Sequence, residues 1–179
     1  TAQPAIPSET SRPASAPTVE TPMLQPATPA QPITAVSMTA EEYVERGTAH
    51  REMGNWQFAI DDFSEAIRLK PKYALAYLNR GYTYHNGRQD YDRAIADYTQ
   101  AIALNPKDAV AYHNRGLAYH NGKQDYDRAI ADYTQAIALN PQYADAYINR
   151  GNAYHNGKEN YQQAVDDFTK AIQIDPTYI

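Results

Sequence analysis

Prolines 71, 106, 141 and 176 stand 35 residues apart. A fixed period of that length is the feature that most constrains the fold, because each period must be one supersecondary unit that buries its apolar face against its neighbours. The rest of the chain falls into the same register. Gly47, Gly81, Gly116 and Gly151 recur at spacings of 34, 35 and 35, and Tyr84 to Pro106 repeats as Tyr119 to Pro141 with one change, Arg88 to Lys123. Four consecutive units follow, over about 40–73, 74–108, 109–143 and 144–178.

Each unit reads as two helices. The first carries Tyr43, Tyr77, Tyr112 or Tyr147, the glycine four residues on, and His50, Tyr84, Tyr119 or Tyr154 three beyond that, which puts all three on one helical face. The second opens after Asn55, Asp90, Asp125 or Asn160, whose side-chain oxygens suit an N-cap. Along it, Tyr91, Ala94, Ile95, Tyr98, Ala101 and Ile102 form a continuous apolar stripe, and the proline ends it. Thr39 and Glu42 predict a capping box at the start of the first helix.

Before the array the composition changes. Eight of the twelve prolines lie in the first 32 residues, whereas all sixteen tyrosines, the tryptophan and the three phenylalanines lie beyond position 42. Residues 1–38 are therefore expected to be a disordered linker, too poor in apolar surface to offset the entropy of ordering. The chain starts at Thr1, which suggests a processed or trimmed form. No apolar run is long enough to span a bilayer. With no cysteine, disulfides and thiol chemistry are excluded, and a net charge of −5 gives a nucleic-acid partner no electrostatic support.

The units resemble the tetratricopeptide repeat family, whose pattern runs W-x2-L-G-x2-Y, then A-x3-F, then P. Tyrosines 43, 77, 112 and 147 stand for the tryptophan; the four glycines match, as do Ala59 with Phe63, Ala94 with Tyr98, Ala129 with Tyr133 and Ala164 with Phe168. The resemblance implies an all-α solenoid of helix-turn-helix repeats in a short right-handed superhelix. Two features depart from the pattern. Arg46, Arg80, Arg115 and Arg150 replace the leucine before the glycine, and are expected to reach Asp62, Asp97, Asp132 and Asp167 on neighbouring second helices as a charged ladder. Units two to four carry one extra residue between their helices, where Asn86-Gly87, Asn121-Gly122 and Asn156-Gly157 suit a left-handed helix end.

In this family the first helices line a concave binding surface. The resemblance places Leu75, Leu78, Asn79, Tyr82, Val110, His113, Asn114, Leu117, Asp145, Ile148, Asn149 and Asn152 there. Asn79, Asn114 and Asn149 share one register position, so their carboxamides offer donors and acceptors to the backbone of an extended peptide. The alternative is that each amide binds a neighbouring helix. Val44, Leu78 and His113 stand where some relatives place a carboxylate clamp, which disfavours a clamp here. His85, His120 and His155 recur too; one metal ion is out of reach of three rings on separate units, so a helix-end role is expected and no metal or cofactor. Polar residues that recur evenly along the chain describe a lattice rather than an active site. The function expected is non-enzymatic: a scaffold for a protein or peptide partner, supporting assembly of a larger complex. The alternative is an oligomerisation module in which Tyr161, Val165, Phe168 and Ile172 of the last unit self-associate. The repeats look like those of bacterial members, and the leader like that of an exported protein, which implies a periplasmic or membrane-peripheral location, with cytoplasmic as the alternative.

Overall fold

A computed structural model describes residues 37–177, so the linker expected over 1–38 falls almost wholly outside the described residues. Among these, eight α-helices follow in pairs: α1 (Ala40–Glu52) with α2 (Trp56–Leu69), α3 (Ala74–Thr83) with α4 (Tyr91–Leu104), α5 (Ala109–Ala118) with α6 (Tyr126–Leu139), and α7 (Ala144–Lys158) with α8 (Tyr161–Ile174). Each helix packs on the one before and the one after, and α1 also touches α3. The result is a solenoid of four helix hairpins.

Small residues let the helices approach. Ala59, Ala66, Ala76, Ala94, Ala111, Ala129, Ala136 and Ala146 are fully buried. The recurrent glycines serve the same end: a Cβ on Gly47, Gly81, Gly116 or Gly151 would lie 2.7–2.9 Å from a ring carbon of Phe63, Tyr98, Tyr133 or Phe168 on the paired helix. Those rings fill the centre of each hairpin, Phe63, Tyr98 and Tyr133 with no exposure at all.

The caps follow the expected pattern with one exception. Thr39 and Glu42 form the capping box. The Asp90, Asp125 and Asn160 side chains accept from the backbone N–H of Arg93, Arg128 and Gln163. Asn55 makes no such bond.

The extra residue of the later units is absorbed differently from the sequence expectation. Asn-Gly is not the left-handed pair. Helices α3 and α5 widen into π-helical turns at Tyr84–Arg88 and Tyr119–Lys123. The left-handed residue comes two positions after the glycine, at Gln89, Gln124 and Glu159, with φ of 54°, 50° and 51°. The next N–H then reaches back six residues, from Asp90, Asp125 and Asn160 to the carbonyls of Tyr84, Tyr119 and Tyr154, closing the helix end. In the shorter first unit that left-handed position is a glycine, Gly54, with φ +75°. Gly87, Gly122 and Gly157 are needed instead for close approach to the previous unit. A Cβ there would stand 2.1–2.5 Å from the ring of Trp56, Tyr91 or Tyr126, the first residue of the preceding second helix.

The arginine–aspartate ladder is present. Each arginine donates from Nε and Nη2 to both oxygens of the aspartate in its own unit, at 2.5–2.9 Å. The aspartates are buried. The third nitrogen reaches back to the preceding second helix: Nη1 of Arg80, Arg115 and Arg150 donates to the hydroxyls of Ser64, Thr99 and Thr134 at 3.0–3.1 Å. Arg46 has no preceding unit, and its Nη1 meets Met38 Sδ. Hydrogen bonds that the guanidiniums donate to the aspartates are the main reason that they hold their protons even more firmly than usual.

Candidate peptide-binding surface

Helices α3, α5 and α7 each carry one member of the asparagine row at the same register, where α1 has Glu45, and two of the three members are held by bonds between units. Arg51 Nη1 on α1 donates to Asn79 Oδ1 on α3 at 2.8 Å, and the same guanidinium lies over the Tyr82 ring, 5.1 Å from its centroid. On the far side, His113 of α5 bonds to Asn149 Nδ2 of α7 at 2.9 Å through Nε2 and to the Tyr143 hydroxyl at 3.1 Å through Nδ1. Asn114 is the next residue of α5 after His113, and its amide favours the charged form of the ring. All three asparagines are half-buried, as is Asn152.

The apolar candidates divide. Leu75, Tyr82 and Val110 are exposed, at 46%, 40% and 45%. Leu78 and Leu117 are half-buried and pack inward, against the clusters around Tyr98 and Tyr133 respectively. Ile148 is half-buried, and Asp145 is exposed. His113 is buried, and the cost of charging it away from water holds its pKa below the ordinary value. Its register position in the second unit belongs to Leu78, so the ring takes an apolar place and carries two polar atoms into it.

Two contributors lie outside what the sequence pattern singles out. Arg51 sits at the register of His85 and His120, and its reach to Asn79 spans 28 residues. Between α1 and α3 it helps to line a cleft of about 480 Å³ with Glu52, Trp56, Tyr82 and Asn86. Tyr143 lies in the turn before α7, in register with Tyr73; that recurrence is the signal that could have found it.

His85, His120 and His155 stand near the ends of the first helices. Each ring is edge-on to the tyrosine that opens its own second helix, Tyr91, Tyr126 or Tyr161, with centroids 5.1–5.4 Å apart. Burial lowers the pKa of His85 and His120.

On α8, Tyr161, Val165 and Ile172 are exposed at 58%, 56% and 40%, while Phe168 is half-buried against Gly151. Phe168 and Ile172, with Ile148 and Ala171, line an apolar cleft of about 280 Å³.

A family model described as TPR repeat matches residues 47–87, 88–122 and 123–157, and one described as Tetratricopeptide repeat matches 144–178. Tetratricopeptide repeat protein 6 of Homo sapiens is 48% identical over 54 residues, 30% of this chain and 10% of that protein. The Protein SGT1 homolog of Oryza sativa subsp. japonica is 43% identical over 51 residues, 28% of this chain and 14% of its own length. The chain thus spans only a small part of these curated relatives. Among solved structures, that of MamA superimposes with a TM-score of 0.72 at 30% identity, covering 77% of this chain and 79% of that one. The Arabidopsis OM64 TPR domain gives 0.63 at 28% identity, covering 65% and 95%.

Proposed function

The chain belongs to the tetratricopeptide repeat family, and from that premise we propose that the surface of α1, α3, α5 and α7 binds an extended segment of a protein partner. The role is that of a non-enzymatic interaction scaffold. The observation that carries the reading is the asparagine row, one carboxamide at a single register in each of the second, third and fourth units, with Asn79 and Asn149 already oriented by Arg51 and His113. Those bonds are the neighbour contacts expected of the alternative reading, yet they leave part of each amide for a ligand. A bonded carboxamide still has a second end, and fixing it beforehand removes an ordering cost from binding. Leu75, Tyr82 and Val110 supply apolar contact between the amides.

The test is selection of random extended peptides displayed against the intact chain, followed by affinity measurement on the Asn79→Ala, Asn114→Ala, Asn149→Ala triple variant. A loss of at least tenfold with unchanged helicity is expected. Equal affinity for both proteins would overturn the reading.

A second reading, self-association through α8, is favoured by its exposed Tyr161, Val165 and Ile172. Because Phe168 packs beneath Gly151, Val165→Asp is the cleaner probe. Sedimentation should show a dimer in wild type and a monomer in the variant, and a monomer in both would end it.

A further inference from the structure

We propose that His113 is a proton-controlled positioning residue that sets which end of the Asn149 carboxamide is presented to a bound segment. The inference rests on the groove reading above for its consequence, and on the Tyr143–His113–Asn149 geometry for its mechanism.

In the structure Nε2 of His113 faces the amide nitrogen of Asn149 at 2.9 Å. An amide nitrogen only donates, so Nε2 is the acceptor, the ring is neutral, and its proton lies on Nδ1, donated to the Tyr143 hydroxyl oxygen 3.1 Å away. Asn149 Oδ1 has no protein partner among the described residues and is the end offered to a ligand N–H. A second proton on the imidazole changes this. Both ring nitrogens then donate, Nε2–H faces a donor, and the contact becomes repulsive unless the Asn149 amide turns over so that Oδ1 accepts. The nitrogen then takes the outward place. A site that accepted a ligand N–H becomes one that donates to a ligand carbonyl.

The surroundings favour a switch of this kind over simple solvation. The ring is buried, 5.7 Å from the Tyr133 ring of α6 and 4.8 Å from that of Tyr143. Among the described residues, the groups that act on it are Asn114 of its own helix, Tyr133 of α6, Tyr143 before α7, and Asp145 and Asn149 of α7. Asp145 is the charged member of that set. Burial opposes the second proton, the Asn114 amide and then the Asp145 charge favour it, and burial is the largest effect, which places the change on the acid side of the ordinary histidine range.

Two measurements on the intact chain test the proposal. In the free protein, long-range ¹H–¹⁵N correlation reads the His113 tautomer and nuclear Overhauser contacts read the Asn149 amide. The expectation is the Nδ1–H tautomer at pH 7.5 with Asn149 Hδ2 close to the ring, and loss of that contact as His113 titrates. An Nε2–H tautomer at pH 7.5 would overturn the proposal, because the oxygen would then already face the ring and protonation would reverse nothing. In the second arm, a peptide selected at pH 7.5 is titrated at pH 7.5 and 5.0. Wild type is expected to lose about tenfold in affinity, and His113→Leu, which borrows the residue of the second unit, to show no such loss. Equal pH dependence in both proteins would overturn the coupling. Should no peptide bind at either pH, the groove reading fails and the first arm still decides the switch.

Discussion

The hydroxyls of Tyr98 and Tyr133 are buried and have no hydrogen-bond partner among the described residues, which makes the two central hairpins carry a cost that the outer two avoid. Phe63 and Phe168 hold the same register in the first and fourth units and lie against Gly47 and Gly151 as the tyrosine rings lie against Gly81 and Gly116. Removing the hydroxyl therefore changes no packing. Burial also pushes both phenols well above the ordinary tyrosine pKa, so neither is relieved by ionising. An unpartnered buried polar group costs about 1–3 kcal/mol, and Tyr98→Phe or Tyr133→Phe should each stabilise the array by about 1–2 kcal/mol. The two sites lie in different units with no partner in common, so the double variant should gain about 2–4 kcal/mol. At about 3 °C per kcal/mol for a domain of this size, the midpoint would rise by roughly 6–12 °C. Circular dichroism through thermal and urea unfolding measures both quantities. A loss of 1 kcal/mol or more in either single variant would refute the reasoning, since it would mean that the hydroxyl has a partner whose bond is worth more than its burial costs.

Further perturbations follow from the same contacts. Asp132→Ala leaves the Arg115 guanidinium largely enclosed without its carboxylate and should cost about 3–5 kcal/mol by urea unfolding, whereas Arg115→Leu combined with Asp132→Leu should recover most of that; equal losses would argue against a desolvation penalty. Gly122→Ala puts a Cβ 2.1 Å from Tyr91 Cγ and should destabilise by about 2–3 kcal/mol, visible as earlier melting of the third and fourth units; an unchanged midpoint would contradict the close approach. Burial depresses the pKa values of His85, His113 and His120, so between the unfolded value of about 6.5 and the lower folded values the unfolded chain binds more protons. Stability is fully present above that window and falls as pH drops through it. The thermal midpoint should be lower at pH 5 than at pH 7.5, and an equal or higher one would be the contrary result.

Much of this architecture is legible in the recurrence itself, because the signals are local. Apolar spacing, proline and the Thr39–Glu42 box each act within a turn or two of helix, and they place the hairpins. The Arg–Asp ladder is readable too, since four arginines keep a nearly constant offset from four aspartates, and opposite charges held at one offset on packed helices attract. The turns are harder to read because Asn-Gly carries two meanings. Its glycine is required by the ring of the preceding unit, more than 30 residues away in sequence, and the left-handed burden passes to Gln89, Gln124 and Glu159, which carry no sequence mark of it. The asparagine row shows the same limit. Register aligns the three amides, but the bonds to Arg51 and His113 depend on helix crossing, and no spacing encodes that.

The central claim is that the asparagine-bearing side of the array is where a partner segment lies. Side-chain ¹H–¹⁵N spectra recorded during titration with a selected peptide test it most directly. The account predicts progressive shifts of the Asn79, Asn114 and Asn149 carboxamides, with Gln100 and Gln135 of the second helices unmoved. Shifts confined to the second helices, with the three asparagines silent, would contradict it.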